Sequence, residues 1–179
     1  LRDYLVIENE KAFATSVPYM ITSIHYKSKN NQAVINYTKP IIDSKRRVQQ
    51  RGQMAILLAE AYYAEENFAD AYFYFELANK SEKFTAQSVY HFGLAADKSG
   101  NTNKAINLLK SIAGQKNLVG AMASFDLAKI YLEQGNNEFA FTAFKSVIDN
   151  KSGGVYRIES SFAAGVLAYE LGRYSESIA

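Results

Sequence analysis

The sequence predicts an all-α protein, and three observations support this prediction. Apolar residues recur at spacings of three and four, as they do on both sides of the polar hinge Glu65–Asn67, and this is the spacing of helices that bury one face. Alternation of apolar and polar residues, which is typical of strands, is not sustained anywhere. Alanine is abundant and proline occurs only twice among 179 residues, which also favours helices.

The first predicted helix runs from Glu10 or Thr15 to Lys27, after a helix tail at residues 1–4 and a polar connector. We expect Val17, Ile21 and Ile24 to form its apolar stripe. In the second helix, residues 32–42, Ala33 and Tyr37 are expected to face inward. The third helix is predicted at residues 45–64, with Asp43 or Ser44 as its cap. The later helices are predicted at residues 68–79, 85–98, 103–113, 120–134, 138–149, 156–171 and 174–179.

A repeat emerges when the small residue near the middle of each odd-numbered helix is aligned. Successive spacings are 38, 34, 35 and 37 residues, and the aligned residues are Ile21, Ala59, Gly93, Ala128 and Gly165. Twelve positions later stand Ala33, Ala71, Ala105, Ala140 and Ser177. A hinge glycine follows the small residue by seven positions at Gly100, Gly135 and Gly172. Chance periodicity in a plain helical bundle is the alternative.

Segments such as FDLAKIYLEQGNNEFAFTAFKSV resemble the tetratricopeptide repeat (TPR), a helix–turn–helix unit of about 34 residues. The tryptophan and closing proline of that family are not matched. The resemblance implies a right-handed superhelical solenoid of antiparallel helix pairs that binds a protein or peptide along its concave face. One solenoid fragment over residues 1–179 is expected, with approximate repeats at residues 14–44, 52–83, 86–116, 121–151 and 158–179, the last one truncated.

The unequal repeats and abundant Tyr and Phe also resemble the very long TPR proteins of Bacteroidota-type bacteria. This narrower resemblance implies a scaffold in the periplasm or cell envelope rather than the cytoplasm. A start at Leu1 without an initiator methionine and a last helix interrupted at Ala179 favour a fragment of a longer protein.

The binding residues that the resemblance implies lie on the first helix of each pair, because these helices line the groove of a TPR stack. The expected concave-face residues are Ile56, Glu60, Tyr63, Tyr90, Leu94, Asp97, Phe125, Lys129, Leu132, Phe162, Val166 and Tyr169. Within this set, Tyr90, Phe125 and Phe162 could form an aromatic ladder that binds an extended peptide or a partner helix. Packing of these rings between neighbouring repeats is the alternative.

A basic cluster is the second candidate for an interaction site. Its residues are Lys45, Arg46, Arg47 and Arg51. Such a cluster could hold a phosphate or an acidic partner, and the alternative is a solvated helix face.

The sequence shows no catalytic or metal-binding constellation. His25 and His91 lack a second ligand at helical spacing, and residues 151–154 lack the spacing of a phosphate-binding loop. Cysteine is absent. We therefore expect no enzyme activity, no metal and no cofactor.

Charge and hydropathy narrow the classes of partner. A net charge of +2 argues against a nucleic-acid partner, and no apolar run is long enough to span a bilayer. Two functions besides a peptide-binding scaffold stay open. The chain could be a structural rod or self-association segment, or it could regulate an enzyme domain elsewhere in a longer protein.

Overall fold

The computed structural model describes residues 2–44 and 47–177, with side chains described for residues 13–44 and 47–175. Within these ranges the chain is helical and contains no strand, so the all-α prediction is confirmed. The helices are α1 (Arg2–Lys27), α2 (Asn31–Asp43), α3 (Arg51–Ala64), α4 (Phe68–Ala78), α5 (Ala86–Lys98), α6 (Thr102–Ala113), α7 (Leu118–Glu133), α8 (Asn137–Ile148), α9 (Val155–Glu170) and α10 (Tyr174–Ser177).

The helices form two compact units, which we describe separately. Unit 1 comprises residues 1–84, and unit 2 comprises residues 85–179. In unit 1, α1 pairs with α2 and α3 pairs with α4, while α3 also packs against α1 and α2. In unit 2 the pairs are α5–α6, α7–α8 and α9–α10, and each later pair packs against the one before it. A helix pair cannot bury its apolar stripe alone, so stacking is what completes the core of each unit.

The turn inside each pair is built in one way throughout the described chain. One residue adopts a left-handed conformation with φ between 56° and 80°, and these residues are Lys29, Glu66, Gly100, Gly135 and Gly172. The amide of the next residue then donates to a carbonyl five residues earlier, for example Asn101 N to Ala96 O at 2.8 Å. This bond satisfies a carbonyl that the helix end would otherwise leave open, and it fixes where the first helix stops.

The hinge residue Lys29 corrects the alignment of the first repeat. Counting seven positions back from Lys29 gives Thr22 as the residue equivalent to Ala59, not Ile21. Thr22 and Thr38 are fully buried, with their hydroxyl oxygens 2.9 Å apart. Thr22 Oγ1 also donates to the Pro18 carbonyl. Because both hydroxyls are hydrogen-bonded, two polar residues occupy positions that the hydropathy pattern assigned to apolar neighbours.

The residues expected to face inward in α1 and α2 are therefore not the most buried ones. Ile24 in the expected apolar stripe of α1 is 62% exposed, and Val17 and Ile21 are only half-buried. In α2, Ala33 and Tyr37 are half-buried, whereas the fully buried residues are Val34 and Thr38.

Two helix boundaries also differ from the prediction. The helix α1 is continuous from Arg2 through Pro18 to Lys27, with no connector after Tyr4. The helix α3 begins at Arg51 rather than Lys45, because Gln50 adopts a left-handed conformation with φ 54°. The Gln49 amide donates to the Thr15 carbonyl at 2.9 Å, which holds this extended loop against α1. The remaining helices begin and end within two residues of their predicted bounds, except that the predicted end of α10 lies outside the described residues.

A polar contact joins the second helices of unit 1. The Tyr74 ring is buried, and its hydroxyl donates to Asp43 Oδ1 at 2.8 Å. Lys39 pairs with the same carboxylate and lies above the Tyr74 ring. The hydrogen bond from Lys39 lowers the pKa of Asp43 against the opposing effect of burial, and the bond from Tyr74 adds to this lowering. Burial, together with the hydrogen bond to Asp43, raises the pKa of Tyr74 to about 12.

We expect Tyr74→Phe to lower the free energy of unfolding by about 1–2 kcal/mol at neutral pH, because a bond to a charged acceptor is lost. Since folding lowers the pKa of Asp43, the stability it contributes is present above its unfolded pKa of about 3.9 and is lost as the pH falls through the folded pKa. The difference between variant and wild type should therefore shrink in acid. Urea unfolding at neutral and acidic pH measures it.

Tyr62→Phe is the matched control for this prediction. The Tyr62 ring stacks on Tyr74 with centroids 5.6 Å apart, but its hydroxyl makes no hydrogen bond within the described part of the chain. The Tyr62→Phe substitution should therefore leave the free energy of unfolding nearly unchanged. An equal loss in both variants, or a Tyr74→Phe loss that persists unchanged in acid, would contradict the prediction.

The left-handed hinge gives a second prediction. A Cβ at Gly135 would meet nothing within 4 Å, so Gly135→Ala tests the φ of +71° alone. A left-handed non-glycine residue costs about 1–2 kcal/mol, and the variant should lose about this much stability. Gly114 also faces open space but has φ −76°, so Gly114→Ala should be neutral or stabilising by up to about 1 kcal/mol. Thermal unfolding of both variants checks the contrast, and similar effects would refute it.

Candidate functional site

The candidate binding surface of unit 2 lies on one face of its first helices. These residues are one or four positions after the small residue of α5, α7 and α9, and this spacing places them side by side. Exposure is 55% for the Lys129 side chain, 37% for Leu132, 44% for Val166 and 68% for Tyr169. Leu94 and Asp97 at the equivalent positions of α5 are half-buried. The surface is therefore mostly apolar, with one exposed cation.

The three rings of the expected aromatic ladder differ in their surroundings. Tyr90 is only 6% exposed, and its hydroxyl donates to Asp126 Oδ2 at 2.6 Å. The Phe125 ring is half-buried and lies 5.2 Å from the Tyr156 ring, between centroids. Phe162, in contrast, is 79% exposed. Two of the rings thus pack between neighbouring helix pairs, and only Phe162 lies open. The binding role of the concave-face set stays a prediction.

Asp126 connects these packed rings to the exposed surface. It accepts the hydrogen bond from Tyr90 on α5, and its other carboxylate oxygen, Oδ1, lies 3.7 Å from Lys129 Nζ. The same Nζ lies 5.7 Å from the centroid of the Phe125 ring, within the range of a cation–π contact. Lys129 therefore lies within reach of Asp126 and of the Phe125 ring, while more than half of its side chain is exposed. Sequence reasoning did not single out Asp126, because it lies between the positions assigned to the groove.

The equivalent positions of unit 1 are mostly covered. Ile56 is buried, Glu60 is 8% exposed and Tyr63 is half-buried with its ring 5.7 Å from Phe68. The corrected alignment adds Tyr26, which is 36% exposed, at the position equivalent to Tyr63. Burial raises the pKa of Tyr26, and the nearby charge of Glu60 raises it further.

A signal in the sequence could have found Tyr26. Asparagine follows the hinge residue in four repeats and occupies the N-cap position of the second helix, at Asn30, Asn67, Asn101 and Asn136. Aligning these asparagines fixes the register of the first repeat without reference to hydropathy.

An open hollow of ≈ 580 Å³ lies on the exposed side of α9. Its lining residues are Ser161, Phe162, Gly165, Val166, Tyr169 and Glu170. Gly165 is the small residue of this helix, and Phe162, Val166 and Tyr169 supply the apolar part of the lining, with Ser161 and Glu170 as its polar part.

The basic cluster is only partly within the described residues. Lys45 and Arg46 lie outside them, and Arg47 is exposed in the loop before α3. The Arg51 guanidinium donates to the carbonyls of Ile41 and Ile42 at the end of α2. A cation is favourable at a helix C-terminus, so Arg51 has a structural partner. An anion-binding role for the cluster stays a prediction.

The described residues contain no group of three His, Cys, Asp or Glu side chains that could hold a metal ion. His25 lies against the Tyr37 ring, and His91 Nε2 lies 2.7 Å from Gln87 Nε2. None of the described helices combines the length and apolar character needed to cross a membrane.

The fold resembles two crystal structures of MamA. One aligns with a TM-score of 0.69 at 20% identity and covers 88% of each chain. The other aligns with a TM-score of 0.70 at 20% identity, covering 90% of this chain and 85% of that chain. At this identity the similarity establishes the all-α, TPR-like repeat fold and nothing about activity. No protein-family model matches the chain, and no curated protein matches its sequence.

Tyr90 and Tyr169 give a further prediction, because the Tyr90 ring is buried and the Tyr169 ring is exposed. We expect Tyr90→Ala to lower the free energy of unfolding by about 3 kcal/mol or more, because a buried ring and its bond to Asp126 are lost. Tyr169→Ala removes the same side chain from an exposed position and should cost less than about 0.5–1 kcal/mol. Chemical denaturation of both variants measures the difference. Comparable losses would show that exposure does not distinguish the two rings.

Proposed function

We propose that this chain is a non-catalytic interaction scaffold that binds a peptide or partner protein along the face of its first helices. The observation that supports this is the exposure of apolar side chains on consecutive first helices of unit 2. Leu132 is 37% exposed although α9 packs beside its helix, and Val166 and Tyr169 continue the same face. Contiguous exposed apolar residues on a soluble surface are typical of interaction sites.

We infer that the partner binds to a rigid, preformed surface. Because each first helix is fixed by its hinge and by packing on its neighbours, the surface exists before the partner arrives. Little conformational entropy is then lost on binding. Tyr169, Val166 and Leu132 supply contact area, and Lys129 supplies one positive charge beside them. The chemistry fits a partner segment with apolar side chains and a nearby carboxylate.

Unit 1 contributes a second patch of different character. Tyr26 and Tyr63 combine apolar rings with hydroxyl groups, and Glu60 places a carboxyl group close to Tyr26. Tyrosine is favoured at interfaces because it adds a large contact area with few rotatable bonds. The net charge of +2 supports protein rather than nucleic acid as the partner class.

Peptide selection tests the proposal. A displayed library of random peptides is selected against the intact chain, and a selected peptide is measured by fluorescence anisotropy. We expect Leu132→Asp to weaken its binding about tenfold or more, the effect of losing roughly 1.4 kcal/mol at a central contact. The charge would face the apolar part of the peptide. Circular dichroism should show unchanged helicity, because Leu132 is already partly exposed.

Phe139→Asp is the control, since Phe139 is 61% exposed on the second helix α8 rather than on a first helix. It should leave the affinity within about twofold. Equal weakening by both variants, or selected peptides that are insensitive to Leu132, would reject the first-helix face as the binding site.

The cell envelope is the compartment that the narrower TPR resemblance favours. We retain it as a proposal that fractionation of the source cells tests directly.

A further inference from the structure

The polar contact between α2 and α4 in unit 1 fills a groove between two second helices. The Tyr74 ring is 2% exposed and stacks on the Tyr62 ring, with the two ring planes 2° apart. The Tyr74 hydroxyl donates to Asp43, and Lys39 Nζ lies 5.9 Å from the centroid of the Tyr74 ring. One aromatic ring therefore occupies this groove, and its neighbours are a second ring, a carboxylate and a cation.

Unit 2 has the equivalent groove between α6 and α8. Positions on second helices are counted here from the buried residue twelve positions after the small residue of each first helix, namely Val34, Ala71, Ala105 and Ala140. At position +3, where α4 has Tyr74, α8 has Ala143. At position +9, where α2 has Asp43, α6 has Gly114. The groove of unit 2 thus lacks both the ring and the carboxylate that fill the groove of unit 1.

The cation and the second ring are kept in unit 2. Lys110 stands at position +5 of α6, which is the position of Lys39 in α2. Tyr131 lies three positions after the small residue of α7, as Tyr62 does in α3. The two grooves therefore differ in the groups that fill them and agree in the groups that surround these.

The replacements leave an open cleft of ≈ 260 Å³, lined in part by Lys110, Gly114, Tyr131 and Ala143. Phe139 forms a further wall, and its ring is 61% exposed and lies 5.3 Å from the Tyr131 ring, between centroids. Lys110 is exposed and makes no ion pair within the described part of the chain. The helices on both sides of the cleft, α6 and α8, are fully described, so the cleft is an internal feature of unit 2.

We propose that this cleft binds a small aromatic carboxylate. The ring of the ligand takes the place that the Tyr74 ring has in unit 1, against Tyr131. The carboxylate takes the place of the Asp43 side chain and pairs with Lys110. In unit 1 the phenol oxygen and a hydrogen bond of 2.8 Å separate the ring from the carboxylate, so a linker of about two carbons joins the two groups in the ligand.

Each part of the ligand has a physical reason. The aromatic ring covers the apolar walls of the cleft, as rings do in most small-molecule sites. Lys110 can serve both as the partner of the carboxylate and as a cation beside the ring, since Lys39 does both with Asp43 and Tyr74. The cleft lies between second helices, whereas the proposed peptide-binding surface lies on first helices. A failure of one proposal would therefore leave the other standing.

Titration of the intact chain with hydrocinnamate tests the proposal, and hydrocinnamyl alcohol is the matched neutral ligand. Binding is followed by NMR through the backbone amide resonances. We expect saturable shifts at residues 110–114 and 142–146, with a Kd of about 1 mM, the affinity expected for a ligand of this size. The alcohol should bind about threefold more weakly, because it has no charge to pair with Lys110.

Variants of the cleft sharpen the test. Ala143→Tyr places a ring in the cleft as Tyr74 does in unit 1, and it should abolish binding. Lys110→Met keeps the aliphatic stem and removes the charge, so it should weaken binding of the acid about threefold and leave binding of the alcohol unchanged. Lys145→Met is the control and should bind as the wild type does, because Lys145 has the same position on α8 but does not line the cleft.

Circular dichroism checks the fold of each variant, and if Ala143→Tyr does not fold, the comparison of the two lysine variants decides alone. The absence of saturable shifts up to about 20 mM hydrocinnamate would overturn the proposal. Shifts confined to other residues, or equal affinities for the acid and the alcohol, would overturn it too. The same holds for a folded Ala143→Tyr variant that binds as the wild type does, and for equal effects of Lys110→Met and Lys145→Met.

Discussion

The left-handed residue between the helices of each pair is the constraint on which the described fold depends. It reverses the chain within three residues and lets the amide of the following residue satisfy a carbonyl of the helix that has just ended. In unit 2 this residue is glycine. In unit 1 it is Lys29 or Glu66, so the same geometry is maintained there against a steric cost. Since the hinge sets the rotation of one helix against the next, it also decides which side chains face the core.

The hinge therefore also explains why neighbouring residues of one first helix make different kinds of contact. In α7, Ala128 approaches the partner helix, Ile130 is buried, and Phe125 faces the following pair, while Lys129 and Leu132 stay in solvent. Adjacent residues of one helix thus have unrelated roles, because each residue turns the side chain by about 100°. The number of residues between a side chain and the hinge therefore predicts which surroundings that side chain has better than the hydropathy of the residue does.

The sequence predicted the fold class and most of the helix bounds because periodicity and hinge glycines agree in unit 2. It failed in the first repeat for a physical reason. The buried pair Thr22 and Thr38 satisfies its own hydroxyls, so polar residues occupy the core while Ile24 stays in solvent. The start of α3 was missed because the loop is held by a backbone bond from Gln49 to Thr15, which has no local sequence signal.

The exposure of the candidate site residues was predictable from spacing for some residues and not for others. The spacing placed Leu132, Val166 and Tyr169 on one face, and these residues are exposed. The spacing could not show that Tyr90 is buried and bonded to Asp126, since that contact depends on how closely α5 and α7 approach. A residue on the groove side of a solenoid can therefore belong either to the binding surface or to the joint between repeats.

The connector before α9 is anchored by a side chain rather than by its length. Asn150 is buried, and its Nδ2 group donates to the carbonyls of Gln115 and Asn117 at 3.0 Å each, while Oδ1 accepts from the Ser152 amide. One amide thereby pins two successive inter-pair loops together. The residues after Asn150 are bonded back to it, since the Ser152 amide donates to Oδ1 and the Gly153 amide donates to the Asn150 carbonyl. Asn150 therefore ties the start of α9 to the loop that precedes α7, and a change in the length of either loop would disturb the other.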